Sequence, residues 1–506
     1  MRRDPQTVGA RRFRAVVLAL STAMAMPAGA QTIRLRILDE NGNPTAARVR
    51  LRDRQGTLHP VPAVKPGDLL PAHPRFPDLG VIVKGDCAIE VPDPDLTIEV
   101  DRGTEYLPQT FAAVQGPPKD VRLQRWVDAA ARGWWPADLH VHRNPADMPL
   151  LMEAAALSFA PAITKWNENS NLETWPEQPM VRVAASRFYS VDNAEDERPW
   201  GAALFFGLKR PIRLYGGKAN WPPPTATWEE ARSRQGFIDL EKVIWWAAPV
   251  MAALSRPDTI GVANNHFLEE GLLDMEAWGP PRDRAKYPGQ AGFANYIFDL
   301  YYTYLSAGMR IPASAGSANG VLKSPLGYSR SYVFLGNNFT PESWFAGQKA
   351  GRNFVTNGPM LFLKANGEWP GTVLPAAAKK VTIELEAMSR GQLERAELIV
   401  NGAVARTVRP GTDRSRIRAS ETLAVSAGDW IAARCFEANH NTIRFAHTSP
   451  VYVGDTARRD AAAIARLREW IDRYMEQVEA LPAETLHAEQ KEEWLALCRK
   501  ARDAYR

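Results

Sequence analysis

The sequence predicts a mixed α/β protein, a barrel of alternating strands and helices flanked by two β-sandwiches and followed by a helix pair. Three observations lead there. Both flanks of the chain alternate apolar and polar residues with period two. The middle alternates short apolar strand candidates with helical stretches. The last fifty residues carry apolar stripes at helical spacing. A chain of 506 residues holds about three domains, and 45% apolar with 24% charged residues is an ordinary globular composition.

Residues 1–30 read as an export signal: Arg2, Arg3, Arg11, Arg12 and Arg14, then AVVLALSTAMAMP, then Ala28-Gly29-Ala30. The apolar run is too short to span a bilayer. The expectation is therefore a periplasmic or secreted protein beginning at Gln31. Residues 31–125 form the first sandwich: TIRLRIL and ARVRLR alternate around the turn DENGNP, and CAIEV and LTIEV flank PDPD like a hairpin. Residues 126–370 form the barrel, with strand candidates ADLHVH, FAPAITKW, RFYSV, TIGVANN, RIPASAG and RSYVFL. Thirteen of the sixteen tryptophans lie in this stretch, and adjacent pairs such as Trp134-Trp135 and Trp245-Trp246 cannot both face one core, so some are expected to line a cleft. Residues 371–456 form the second sandwich, with Asn401-Gly402 as a hairpin signal. In residues 457–506, Ile464, Leu467, Ile471, Tyr474 and Val478 form one stripe of a helical hairpin.

The leader carries four of the five net positive charges, so the remainder is near neutral and offers no electrostatic case for nucleic acid. Cys87, Cys435 and Cys498 are odd in number and far apart, which implies buried thiols rather than a disulfide framework. No later apolar run is long enough for a transmembrane helix.

The chemistry concentrates in ADLHVHRNP, residues 137–145. In a strand, Asp138, His140 and His142 share one face. Of the eight histidines, only His140, His142 and His266 lie in the barrel segment, and each sits at a candidate strand end, where barrel chemistry is housed. Two imidazoles with a carboxylate suit zinc or manganese with an open position for water. Glu195, Asp196 and Glu197 in DNAEDERPWG are the candidate carboxylates.

These pieces carry a resemblance. ADLHVHRN followed by FAPAITKWN resembles the opening of the PHP (polymerase and histidinol phosphatase) metallohydrolase superfamily. LSAGMRIPASAGSANG, GYSRSYVFL, AGQKAGRNFVTNGPMLFLKANGEWPG and AHTSPVYV resemble its secreted CehA/McbA-type, carbaryl-hydrolase-like branch, over roughly residues 130–456. The resemblance implies a (β/α)7-type barrel holding one to three divalent metals. It matches His140 and His142 to the first metal motif, Glu195 to the bridging acid and His266 to a later ligand. It also exposes departures: Lys165, Trp166, Ala202, Ala318 and Gly320 stand at expected ligand positions. What remains suits one ion. Lys165 would either replace a lost cation's charge or face solvent, and both stay open. Trp166 would make that side of the pocket aromatic.

Three readings of function follow. The first is a single-metal hydrolase, with His140, His142, Glu195 and His266 as ligands, Lys165 polarising substrate, and Asn167 and Asn265 orienting it. Its substrate would be an ester, carbamate, phosphoester or glycan-derived compound. The second is a carbohydrate- or ligand-binding protein on a decayed barrel. The third is a metal-free glycosidase using Glu195 or Glu197 with Glu269 or Asp274. N-terminal sequencing of exported protein is expected to begin at Gln31; a start at Met1 would refute the leader.

Overall fold

A computed structural model of the chain describes residues 31–506 except 63, 66–68, 173, 439 and 440. The expected leader, residues 1–30, lies outside the described residues. The molecule is strand-rich and mixed α/β.

In the N-terminal part, the alternation of Gln31–Leu38 buries Ile33, Leu35 and Ile37 and exposes the arginines between them. This strand pairs antiparallel with Asp86–Val91 and parallel with Lys119–Arg122. A second sheet is built around Ala46–Arg52, between Thr97–Asp101 and Val81–Lys84. Ile33, Leu35, Val49, Leu51, Ile89 and Ile98 fill the space between the two sheets. The expected hairpin across PDPD is not formed. Asp86–Val91 and Thr97–Asp101 lie in different sheets, and the turn carries the chain from one layer to the other. Period-two burial is the same for either arrangement, so alternation could not separate them.

Seven backbone segments of the centre pair in a circuit. Trp134–Ala137, extended through residue 142, runs parallel to Phe159–Trp166, which runs parallel to Arg187–Arg198. Gly201–Phe206 follows antiparallel, then Phe237–Leu240, Thr259–Ala263 and Ala313–Ala315. The return to the first segment is made by Val141 bridging Asn319 and by Leu139 N–H donating to the Ala315 carbonyl at 3.2 Å. The regular succession of strand and helix is met only in part. Met148–Ala154, Ala248–Ser255 and Gly289–Ser306 are crossover helices between parallel strands, whereas Pro224–Ser233 joins two antiparallel ones. Arg187–Arg198, however, is preceded by the antiparallel strand Met180–Ala184 and turns straight into Gly201–Phe206 through Pro199-Trp200. Two residues are too few for a crossover helix, which needs a connection of ten or more.

Arg330–Phe334 and Asn353–Thr356 carry the sheet from the centre into the C-terminal strands, where Phe354 pairs with Thr448. Met360–Ala365, inside the range expected for the barrel, pairs instead with Lys380–Met388, so the second sandwich begins before residue 371. Its tight hairpin falls where Asn401-Gly402 predicts, with φ of 50° and 85°. Helices Ala461–Glu479 and Ala488–Ala504 bury Leu467, Ile471, Tyr474 and Val478 against the centre. They also explain Trp245-Trp246: both are buried, in a turn rather than a strand, with Trp246 stacked on Tyr474 and Trp245 edge-on to Trp278. The three cysteines are free and buried, and no described helix is long and apolar enough to cross a membrane.

The loop 316–320 lies hard against the histidine segment. A Cβ on Gly316 would meet the His140 Cβ at 2.4 Å, and one on Gly320, at φ +104°, would meet the His142 carbonyl oxygen at 2.2 Å. A histidine at position 320 is therefore excluded by the backbone here. Gly316→Ala is expected to cost about 2–3 kcal/mol in urea unfolding; an unchanged midpoint would show that the two segments are not pressed together.

Candidate metal centre

The histidine segment continues past Ala137 with its backbone bonded on both sides. His142 N–H donates to the Asn319 carbonyl at 2.8 Å, and Ile163 N–H to the Val141 carbonyl at 2.8 Å. Asp138 fixes its register. Its carboxylate accepts the N–H groups of His140 (3.1 Å), Ser317 (3.0 Å) and Gly327 (2.7 Å), and the Ser317 hydroxyl. Asp138 is thus occupied with backbone, while His140 and His142 remain free to face inward.

Their Nε2 atoms lie 2.9 Å apart. Glu195, from Arg187–Arg198, places Oε1 3.5 Å from the His140 Nε2 and Oε2 2.9 Å from the His142 Nε2. All three residues bring a ligand atom within 4.8 Å of the others, a grouping that could hold a metal ion. His140 and Glu195 are each 1% exposed. Two imidazole nitrogens and a carboxylate brought this close together away from water are a donor set that suits a cation.

Behind His140, Glu241 Oε1 lies 3.3 Å from Nδ1. Lys242 donates to Glu241 Oε2, and to Asn265 Oδ1 at 2.8 Å. Burial alone would discharge His140, but Glu195 and Glu241 outweigh it and hold its pKa at about 10. Burial and the neighbouring His140 cation win at His142, whose pKa is lowered. Burial would raise Glu195, but the two imidazoles hold it well below the carboxylate range; Glu241, against Lys242 and His140, falls to about 2. Glu197, on the same strand face as Glu195, is pushed up to about 7 by burial and by Glu195.

The other expected site residues lie differently. His266 is not in the group. Its Nδ1 is 3.0 Å from the Leu273 carbonyl, its ring stacks on Phe293 at 5.5 Å, and burial with the nearby Lys242 drives its pKa to about 4. The ammonium of Lys165 donates to the Ile212 carbonyl at 2.7 Å and has Glu230 as its charged neighbour, so it is not part of the histidine group. Its neighbour Trp166 is the residue that faces the centre, with its ring 5.0 Å from that of His142. Asn167 bonds the backbone of Glu197 in both directions, at 2.8 and 2.9 Å, and so holds the Glu195 strand end instead of a substrate. Asn265 holds Lys242. The carboxylates of the glycosidase reading are tied up: Glu269 by Arg48 and Arg50, Asp274 by Arg282 and Arg284.

Glu241 and Lys242 were not legible beforehand. FIDLEKV reads as an apolar strand ending in two solvated charges, and no spacing ties it to the histidines. Compared with known proteins, the chain matches no family model and no curated sequence.

His140 keeps its proton in the fold at pH values where the unfolded chain has lost it. In metal-stripped protein its stabilisation is full below pH 6.5, its ordinary value, and is lost as pH rises through about 10. Urea unfolding between pH 7 and 10 is expected to show this fall, and His140→Gln to flatten it; parallel profiles would contradict the assignment.

Proposed function

We propose that the chain is a hydrolase dependent on one divalent ion, zinc or manganese, and a divergent relative of the CehA/McbA-type PHP metallohydrolases. It acts outside the cytoplasm on a small ester, carbamate, phosphoester or glycan-derived substrate. The observation that carries the reading is the convergence of His140, His142 and Glu195 in one group whose ligand atoms lie within 4.8 Å of one another. The circuit of central strands, with the HxH at a strand end, supports the barrel reading.

His140, His142 and Glu195 would hold the ion and leave a position for water. Such an ion lowers the pKa of bound water toward ~7 and polarises a carbonyl or phosphoryl oxygen. Every other part is played by the protein. Glu241 fixes the His140 ring through Nδ1 and turns Nε2 toward Glu195. Lys242 balances Glu241, and both side chains are nearly buried. Asn167 anchors the strand end that carries Glu195 and Glu197. Glu197 is the carboxylate placed to accept a proton from attacking water, and Trp166 offers an aromatic wall to an aryl or sugar group.

A second reading, a binding protein on a decayed barrel, is favoured by one observation. Protonated His140 and Lys242 balance Glu195 and Glu241, so the cluster is electrically neutral without metal. Metal analysis of protein purified without a metal-binding tag separates the two. One ion per chain is expected, abolished together with hydrolysis by His140→Ala plus His142→Ala while circular dichroism stays unchanged. Glu197→Gln is expected to lower kcat by about 100-fold or more with metal content intact. Lys165→Met is expected to change neither. Protein that stays metal-free after incubation with zinc and manganese would leave the binding reading.

A further inference from the structure

A cavity of about 70 Å3, lined by apolar residues and by several charged ones, lies where three parts of the molecule meet. Arg48 and Asp101 come from the N-terminal sandwich, Arg143, Glu269 and Arg330 from the centre, and Arg390 from the C-terminal strands. Leu151, Ala154 and Leu326 give it an apolar floor.

The wall holds four arginines against two carboxylates; Asp101 Oδ1 has Arg390 Nη1 at 3.5 Å, and Arg330 has the buried Glu105 as a charged neighbour beyond the wall. Arg48 gives Nη2 to Asp101 Oδ2 at 2.7 Å and to Glu269 Oε1 at 3.4 Å. Its Nε and Nη1 are buried without an acceptor among the described residues, although Arg48 is only 8% exposed. Arg330, 1% exposed, spends Nε and Nη2 on the Gly327 and Ala155 carbonyls, and its Nη1 also has no acceptor. Glu269 is shared with Arg50 at 2.7 Å, so it does not neutralise Arg48 alone. Arg143 is matched by Asp147, outside the wall, at 2.9 Å. His73, also on the wall, has its pKa lowered by burial and then by Arg143 and Arg75, against Asp147.

A buried charged donor with no acceptor is destabilising. Water relieves part of that cost. An oxyanion offers several acceptors and the opposite charge, and guanidinium forks match it in geometry. The volume exceeds two waters' share of the liquid, about 30 Å3 each. From the unpaired Arg48 and Arg330 donors, the apolar floor and the excess of cationic groups, we propose that this junction binds one small oxyanion, a phosphate or a carboxylate group, and that the bound anion ties the three parts together.

The test uses the full chain stripped of metal, because zinc itself would bind phosphate. Calorimetry and thermal melting are run with inorganic phosphate in one arm and acetate in the other, against chloride at equal ionic strength. Saturable binding of one anion per chain and a rise of a few degrees in melting temperature are expected, and the arm that responds identifies the anion's class. Arg48→Gln should abolish the response. Should that variant not fold, Ala154→Leu, which fills the cavity from its apolar floor without removing charge, should abolish it instead. No response to either anion in the wild-type protein, meaning water only, would overturn the proposal. So would a full response in Ala154→Leu.

Discussion

The centre of the molecule depends on the Asp138 carboxylate. It gathers three backbone N–H groups and one hydroxyl from two segments remote in sequence, and in doing so ties the histidine segment to the 316–327 loop. Burial raises the Asp138 pKa, and the four hydrogen bonds oppose that rise. With these four it becomes a joint: it closes the circuit of strands and sets which way His140 and His142 face. The glycines of the 316–320 loop follow from the same joint, because the loop lies too near the histidine backbone to carry a Cβ at Gly316 or Gly320.

Charge burial governs the rest. Four ionisable side chains, His140, Glu195, Glu241 and Lys242, are nearly sealed from water and must compensate one another. Without a cation, a proton on His140 supplies the compensation. A divalent ion would take that proton's place among the same atoms, so metal and proton compete for one site. This links the two readings of function physically: hydrolase and decayed barrel differ in what occupies the centre, not in how it is built.

What the sequence showed follows from what sequence patterns encode. The HxH pair announced itself because polar residues sharing one strand face need a reason to be there, while Glu195 was singled out from Asp196 and Glu197 only by the resemblance. The C-terminal stripe and the Asn401-Gly402 hairpin were legible because helical period and turn chemistry are local. Glu241 and Lys242 were hidden since only the crossing of strands brings them behind His140. For Lys165 the resemblance left two orientations open; the strand pairing is irregular between residues 161 and 165, and Trp166 is the residue whose ring lies against His142. His266 was misassigned on the resemblance. His266 ends its strand as expected, but its ring is taken up by Phe293 and the Leu273 carbonyl. The PDPD turn and the start of the second sandwich were misplaced because alternation gives a strand's buried face and not its partner.

The central claim, that His140, His142 and Glu195 form a metal centre, is tested most directly by X-ray absorption at the zinc edge of zinc-loaded protein. The account predicts a first shell of two imidazole nitrogens at ~2.0–2.1 Å with carboxylate and water oxygens at ~2.0–2.2 Å, and no sulfur. A shell of oxygens alone, or one containing thiolate sulfur at ~2.3 Å, would contradict it.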